Sequence, residues 1–124
     1  MERAFFAIGA FLGFTAVTVG AFGAHTLCGQ LSTEMVEVFE LAVRYQMYHA
    51  LALLAVACWA DRFPTFQVNL AGWLLVAGSI LFSGSLYLLS LSGERWWGAV
   101  TPIGGLALLV GWGSLVWAAW GKEH

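Results

Sequence analysis

The chain has 124 residues, of which 60% are hydrophobic and 10% charged, with a formal net charge of -2 and a mean hydropathy of +0.81. A soluble domain carries roughly a quarter charged residues. So short a chain also has too little interior to hide this much apolar surface from water, which excludes an ordinary water-soluble fold. The charge balance offers neither a basic footprint for nucleic acid nor a polybasic arm for anionic lipid.

Taken in chain order, the first apolar run is Ala4–Ala24. It exceeds the roughly 7–15 residues of a secretory core, so it reads as a retained transmembrane anchor rather than a cleaved leader. Gly9, Gly13, Ala16 and Gly20 share one helical face, and Gly9 with Gly13 forms a G-x-x-x-G. Small residues at this spacing let backbones approach where no hydrophobic force drives helices together. Packing inside the bundle is the expectation, with self-association as the alternative.

Ser32–Val43 differs in kind. Glu34, Glu37, Glu40 and Arg44 recur every three or four residues, opposite Met35, Val38, Phe39 and Ala42. The spacing predicts an amphipathic helix capped by Ser32 that feeds the second span, either lying on the membrane surface or projecting beyond it. Glu40 and Arg44 stand in the favourable i,i+4 order for an ion pair.

The second span is Leu41–Ala60, closed by Asp61-Arg62-Phe63-Pro64, since proline disfavours helix at the residue before it. The third is Val68–Leu91, closed by Ser92-Gly93-Glu94-Arg95, and its serines are read as interhelical hydrogen bonds rather than a pore lining. Thr101-Pro102 reads as an N-cap and first-turn proline opening the fourth span, Pro102–Trp120, which carries Gly104 and Gly111 on a second small-residue stripe. Each window spans the roughly 30 Å of a bilayer core. The fold class is all-α: residues 1–124 form one integral membrane domain, a four-helix up-down-up-down transmembrane bundle with an amphipathic extension before the second span.

Tryptophans test these boundaries. Trp59, Trp73, Trp117 and Trp120 fall at one interface and Trp96 with Trp97 at the other, while Trp112 lies near mid-membrane as a packing or lipid-facing residue. Arg3, Arg62 and Lys122 against Arg44 and Arg95 place both termini in the cytoplasm. Cys28 and Cys58 belong near opposite faces, beyond disulfide reach.

The polar residues worth testing for function are His25, Glu40, Arg44, Tyr45, Gln46, Tyr48 and His49. His49 lies inside the apolar zone, where an ionisable residue is a functional hypothesis by default. The expectation is that His25 and His49 form one cluster with Glu40 and Arg44 at the loop end of the bundle. Three uses compete: a structural hydrogen-bond network, a proton or anion path using His25, Arg44 and His49, and a metal site using His25 and His49 with Glu40 or Cys28. No H-x-x-x-H or E-x-x-H spacing supports the metal. No catalytic motif occurs and no cofactor is called for. The first span lacks the carboxylate that small multidrug exporters need, and the chain lacks the paired cysteines of disulfide-forming bundles.

Gly20-Ala21-Phe22-Gly23-Ala24-His25, the run from Ala42 through Arg44-Tyr45-Gln46-Met47-Tyr48-His49 to Ala52, Gly84-Ser85-Leu86-Tyr87 and Thr101-Pro102-Ile103-Gly104-Gly105 occur in this order. With them the chain resembles the YgdD-like family of small inner-membrane proteins over nearly its whole length. The resemblance implies a four-helix protein of the bacterial cytoplasmic membrane with no established biochemical role, and it carries over no catalytic residue. The reading is a non-enzymatic protein acting through helix–helix contacts, with lipid, further copies of itself or a larger membrane protein as partners.

Overall fold

The computed structural model describes residues 2–27 and 29–121. Four helices follow one another: α1 (Glu2–Leu27), α2 (Thr33–Arg62), α3 (Phe66–Ser92) and α4 (Thr101–Gly121), with a short 3-10 turn over Arg95–Ala99 before the last. All four are long and apolar enough to cross a membrane. Cys28 and Lys122 lie outside the described residues.

The helix ends follow local chemistry. Ser32 Oγ accepts from the Met35 N–H at 3.2 Å and opens α2. The amphipathic stretch is therefore the first turns of one continuous 30-residue helix, which packs beside its neighbours instead of lying flat: Phe39 meets Gly23 of α1 and Tyr87 of α3. The Phe63 N–H closes it on the Trp59 carbonyl at 2.8 Å, and Thr65 caps α3 through the Val68 N–H. Gly93, at φ 75, ends α3 in the left-handed conformation that a Cβ would strain.

The expected Thr101 cap is corrected. The Gly104 N–H bonds to the Val100 carbonyl, so Thr101 is already inside the helix. Its hydroxyl shares a hydrogen bond of 2.5 Å with Ser85 Oγ, which links α4 to α3, and also lies 3.4 Å from the Trp97 carbonyl.

Packing runs chiefly between chain neighbours: α1 on α2, α2 on α3 and α3 on α4. The α1 stripe faces α2 within the same chain. A Cβ at Gly9 would meet the Ala50 carbonyl oxygen at 2.9 Å, one at Gly20 the Val43 side chain at 3.0 Å, and one at Gly13 only Ala50 Cβ at 3.8 Å. Gly9 is thus the tight crossing and Gly13 has room for a methyl. On α4, Gly104 presses on the α3 backbone, where an added Cβ would lie 2.8 Å from Phe82 Cα, and Gly111 sits against Leu75. Near the other end Phe5 is fully buried, its ring against Gly72 and edge-on to Trp73 at 5.1 Å, tying α1 to α3. The outer faces are bare and apolar: Phe6, Phe11, Phe14 and Phe22 on α1, and Leu106, Leu109, Val116 and Trp117 on α4 are exposed. In water such surfaces would aggregate, and in lipid they are the solvated side.

Antiparallel neighbours require alternating sidedness. Reporter fusions after Gly29, Pro64, Gly93 and the C-terminus are expected to alternate across the membrane. Equal signals from the Gly29 and Pro64 fusions would refute four crossings.

Candidate functional site

Two polar constellations lie inside the span region, both built on α2. The first centres on Gln46, buried between α1 and α3. Its Nε2 donates to the Leu12 carbonyl at 2.9 Å and to Thr15 Oγ1 at 2.7 Å, and its Oε1 accepts from the Tyr87 hydroxyl at 2.6 Å. The Leu12 carbonyl can only accept, so it fixes which end of the amide faces α1. One side chain thus joins three helices. Nearby, Ser83 Oγ donates to the Ala42 carbonyl at 2.9 Å, so this serine supplies the interhelical bond the sequence suggested. Ser90 bonds within its own helix.

The second constellation is His49, which is buried. Its Nδ1 lies 2.7 Å from the Tyr45 carbonyl, and the Trp112 indole N–H donates to its Nε2 at 3.1 Å. A carbonyl only accepts and an indole N–H only donates, so the ring is held as the tautomer with its proton on Nδ1. Trp112, the mid-membrane exception in the sequence, is therefore the α4 partner of the α2 histidine. The signal was available: an indole N–H at that depth needs an acceptor.

The structure does not bring His25, Glu40 and Arg44 into either constellation. Gly13 is level with Ala50 and Gly20 with Val43, so His49 stands opposite the middle of α1. His25 is about eleven residues higher, on the order of 17 Å along the axis, and is exposed. Glu40 and Arg44 are exposed and form no ion pair among the described residues. Two long side chains in a wet region gain little by pairing. Glu34 instead meets Arg95 across the bundle end at 3.8 Å, both well exposed. Among the described residues no three His, Cys, Asp or Glu side chains are grouped to hold a metal ion.

Around His49 opens a groove of about 680 Å³ between α2 and α4, lined by Tyr45, Tyr48 and His49, by Phe82 at its floor, and by Pro102, Gly105, Leu106, Leu108, Leu109 and Trp112. Its aromatic rings touch in series: Tyr45 lies 4.8 Å from Phe82 and 5.4 Å from Tyr48, and His49 lies 5.9 Å from Trp112. The groove opens sideways, between exposed Leu106, Leu109 and Tyr48, toward the bilayer rather than along the bundle axis.

Four apolar helices with their polar groups bonded across the interior define a small multi-pass integral membrane protein. The chain belongs to the family described as "Protein of unknown function (DUF423)", whose model matches residues 19–105. That match contains Gln46, His49, Phe82 and Tyr87, while Trp112 lies beyond it. The chain is 45% identical over 118 residues to the UPF0382 membrane protein YwdK of Bacillus subtilis, covering 94% of this chain and 96% of the relative. It is 47% identical over 114 residues to the UPF0382 membrane protein SERP0230 of Staphylococcus epidermidis, covering 92% and 93% respectively. The same identity and length relate it to the UPF0382 membrane protein SSP2132 of Staphylococcus saprophyticus, covering 92% and 94%. No solved structure matches the chain.

Proposed function

We propose that this is a protein of the bacterial cytoplasmic membrane, with both termini in the cytoplasm, that performs no chemistry of its own and acts through helix–helix contacts with further copies or with a larger membrane protein. The observation that carries this reading is the state of the interior. Gln46 is engaged at both ends of its amide, His49 at both nitrogens, and Ser83, Ser85 and Ser90 at their hydroxyls. Only Asn69 Oδ1 and Ser79 Oγ are buried without a partner among the described residues. Groups already spent on one another in a low-dielectric interior serve cohesion and are poorly placed to pass an ion or proton. The transport alternative drew on His25, Arg44 and His49, which stand apart. What remains available to a partner is the bare apolar surface of α1 and α4.

A photoreactive amino acid at Phe14 on α1 or Val116 on α4, irradiated in native membranes, tests this. Discrete protein adducts are expected from at least one face, and none from the buried control position Leu53. Lipid adducts alone from both faces would overturn the contact reading.

A further inference from the structure

The lipid-facing flank of the α1–α2 pair goes beyond the contact reading, because there two opposite charges stand at the head of an apolar furrow. Two recesses lie in line along it. The outer one, of about 170 Å³, is lined by Gly20, Phe39, Glu40, Val43 and Arg44. The inner one, of about 500 Å³, starts one turn deeper at Met47 and Thr18 and runs to Leu54 and Gly9. Its lining is apolar except for Thr18, whose hydroxyl is already bonded to the Phe14 carbonyl of its own helix. Gly13, with its nearest neighbour for an added Cβ at 3.8 Å, hollows the furrow midway.

Depth and charge order narrow the occupant. From Arg44 to Leu54 is ten residues, or roughly 15 Å, the hydrocarbon depth of one leaflet and hence of one acyl chain. The span begins at Leu41, so Glu40 stands at the boundary and Arg44 one turn inside it. Side chains tilt toward the N-terminus of their helix, which on α2 is outward, so Arg44 lays its stem along the furrow and carries its charge to the head groups. Both residues are exposed, and among the described residues no ion pair joins them. The wall thus presents a cation at the phosphate level and an anion about 6 Å further out. A head group with a phosphate next to its glycerol and an ammonium beyond it carries the complementary order. A purely anionic head group would meet Glu40, and beyond it the exposed Glu37. The apolar furrow beneath the charges calls for a ligand with a chain, which a free phosphate lacks.

We propose that this furrow seats one phospholipid whose head group ends in a primary ammonium, as in phosphatidylethanolamine. The phosphate accepts from Arg44, the ammonium donates to Glu40, and one acyl chain follows the furrow past Gly13.

The test is native mass spectrometry of the purified full-length protein, offered equal amounts of dioleoyl phosphatidylethanolamine, phosphatidylcholine and phosphatidylglycerol. One phosphatidylethanolamine per chain is expected to be retained, at least fivefold over either competitor, and excess glycerophosphoethanolamine should not displace it. Arg44→Gln should weaken retention about fivefold, the scale of one basic residue against a lipid charge. Glu40→Gln should keep a lipid but lose the preference, so that phosphatidylglycerol then binds at least as well. Neither side chain has an ion-pair partner among the described residues, so both variants should melt with wild type. If Arg44→Gln melts lower, Glu40→Gln carries the test, because a reordering of head groups requires a folded seat. Equal retention of the three lipids, unchanged retention in Arg44→Gln, an unchanged preference in Glu40→Gln, or displacement by the chainless head group would each overturn the proposal. The contact reading is judged by protein adducts instead, so the two fail separately.

Discussion

Gly104→Ala is expected to destabilise the detergent-solubilised protein by about 2–3 kcal/mol, the upper part of the range for forcing extra atoms into a packed interior. The new methyl would lie 2.8 Å from Phe82 Cα and 2.9 Å from the Leu81 carbonyl carbon. Those are backbone atoms of α3, which cannot rotate aside as a side chain can. The helices must separate, and with them go the Thr101–Ser85 link and the contact of Leu108 with Gly78. Alanine's better helix propensity, worth at most about 1 kcal/mol, offsets only part of this. Gly113→Ala is the matched control: the same exchange on the same helix with nothing within 4 Å, expected to leave the melting temperature unchanged or raise it. If both variants melt together, α3 and α4 do not approach as closely as described. Gly13→Ala, with its nearest neighbour at 3.8 Å, should likewise be tolerated, which separates the tight positions of the glycine stripes from the loose ones.

Gln46→Leu is expected to cost about 2 kcal/mol, measured as thermal or denaturant stability in detergent. The side chain makes three interhelical hydrogen bonds, and such bonds in membranes average roughly 0.6 kcal/mol, with a maximum near 1.7. Leucine fills much of the volume but strands the Tyr87 hydroxyl, whose own desolvation then counts against the fold. That asymmetry gives the sharper test. Tyr87→Phe should destabilise wild type by about 1 kcal/mol, yet be nearly neutral or stabilising in the Gln46→Leu background, since the orphaned hydroxyl is then removed with its partner. Additivity of the two substitutions within about 0.3 kcal/mol would mean that the bond between them contributes nothing.

The locations of these positions show what could be read in advance. Ser32 and Gly93 are helix-end residues whose chemistry is local, and both act where the sequence placed them. Gly104 and Gly111 could be recognised as packing residues, but not that Gly104 meets backbone while Gly13 meets almost nothing, because that depends on the rotation and separation of each helix pair. Thr101 was misread because its hydroxyl has two possible uses, and the partner that decided between them, Ser85, is sixteen residues away on another helix.

The polar site shows the same division. Gln46 and His49 were legible as buried polar residues, since a long apolar run makes any polar side chain within it conspicuous. Their partners were not. The sequence suggested His25 as the companion of His49 because the loop brings the ends of α1 and α2 together. The antiparallel register instead sets His49 opposite the middle of α1, turned toward α4, with Trp112 as its donor.

By itself the sequence determined the solvent, the number of crossings and most of the helix ends, the start of α4 excepted. These follow from transfer of apolar side chains to lipid and from the need of every backbone group for a local partner. Tertiary structure alone decided which polar groups meet, which glycines are tight and where the groove opens. In lipid no hydrophobic gradient orients one apolar helix face over another, so rotation and register are set by close fit and a few hydrogen bonds between residues far apart in the chain.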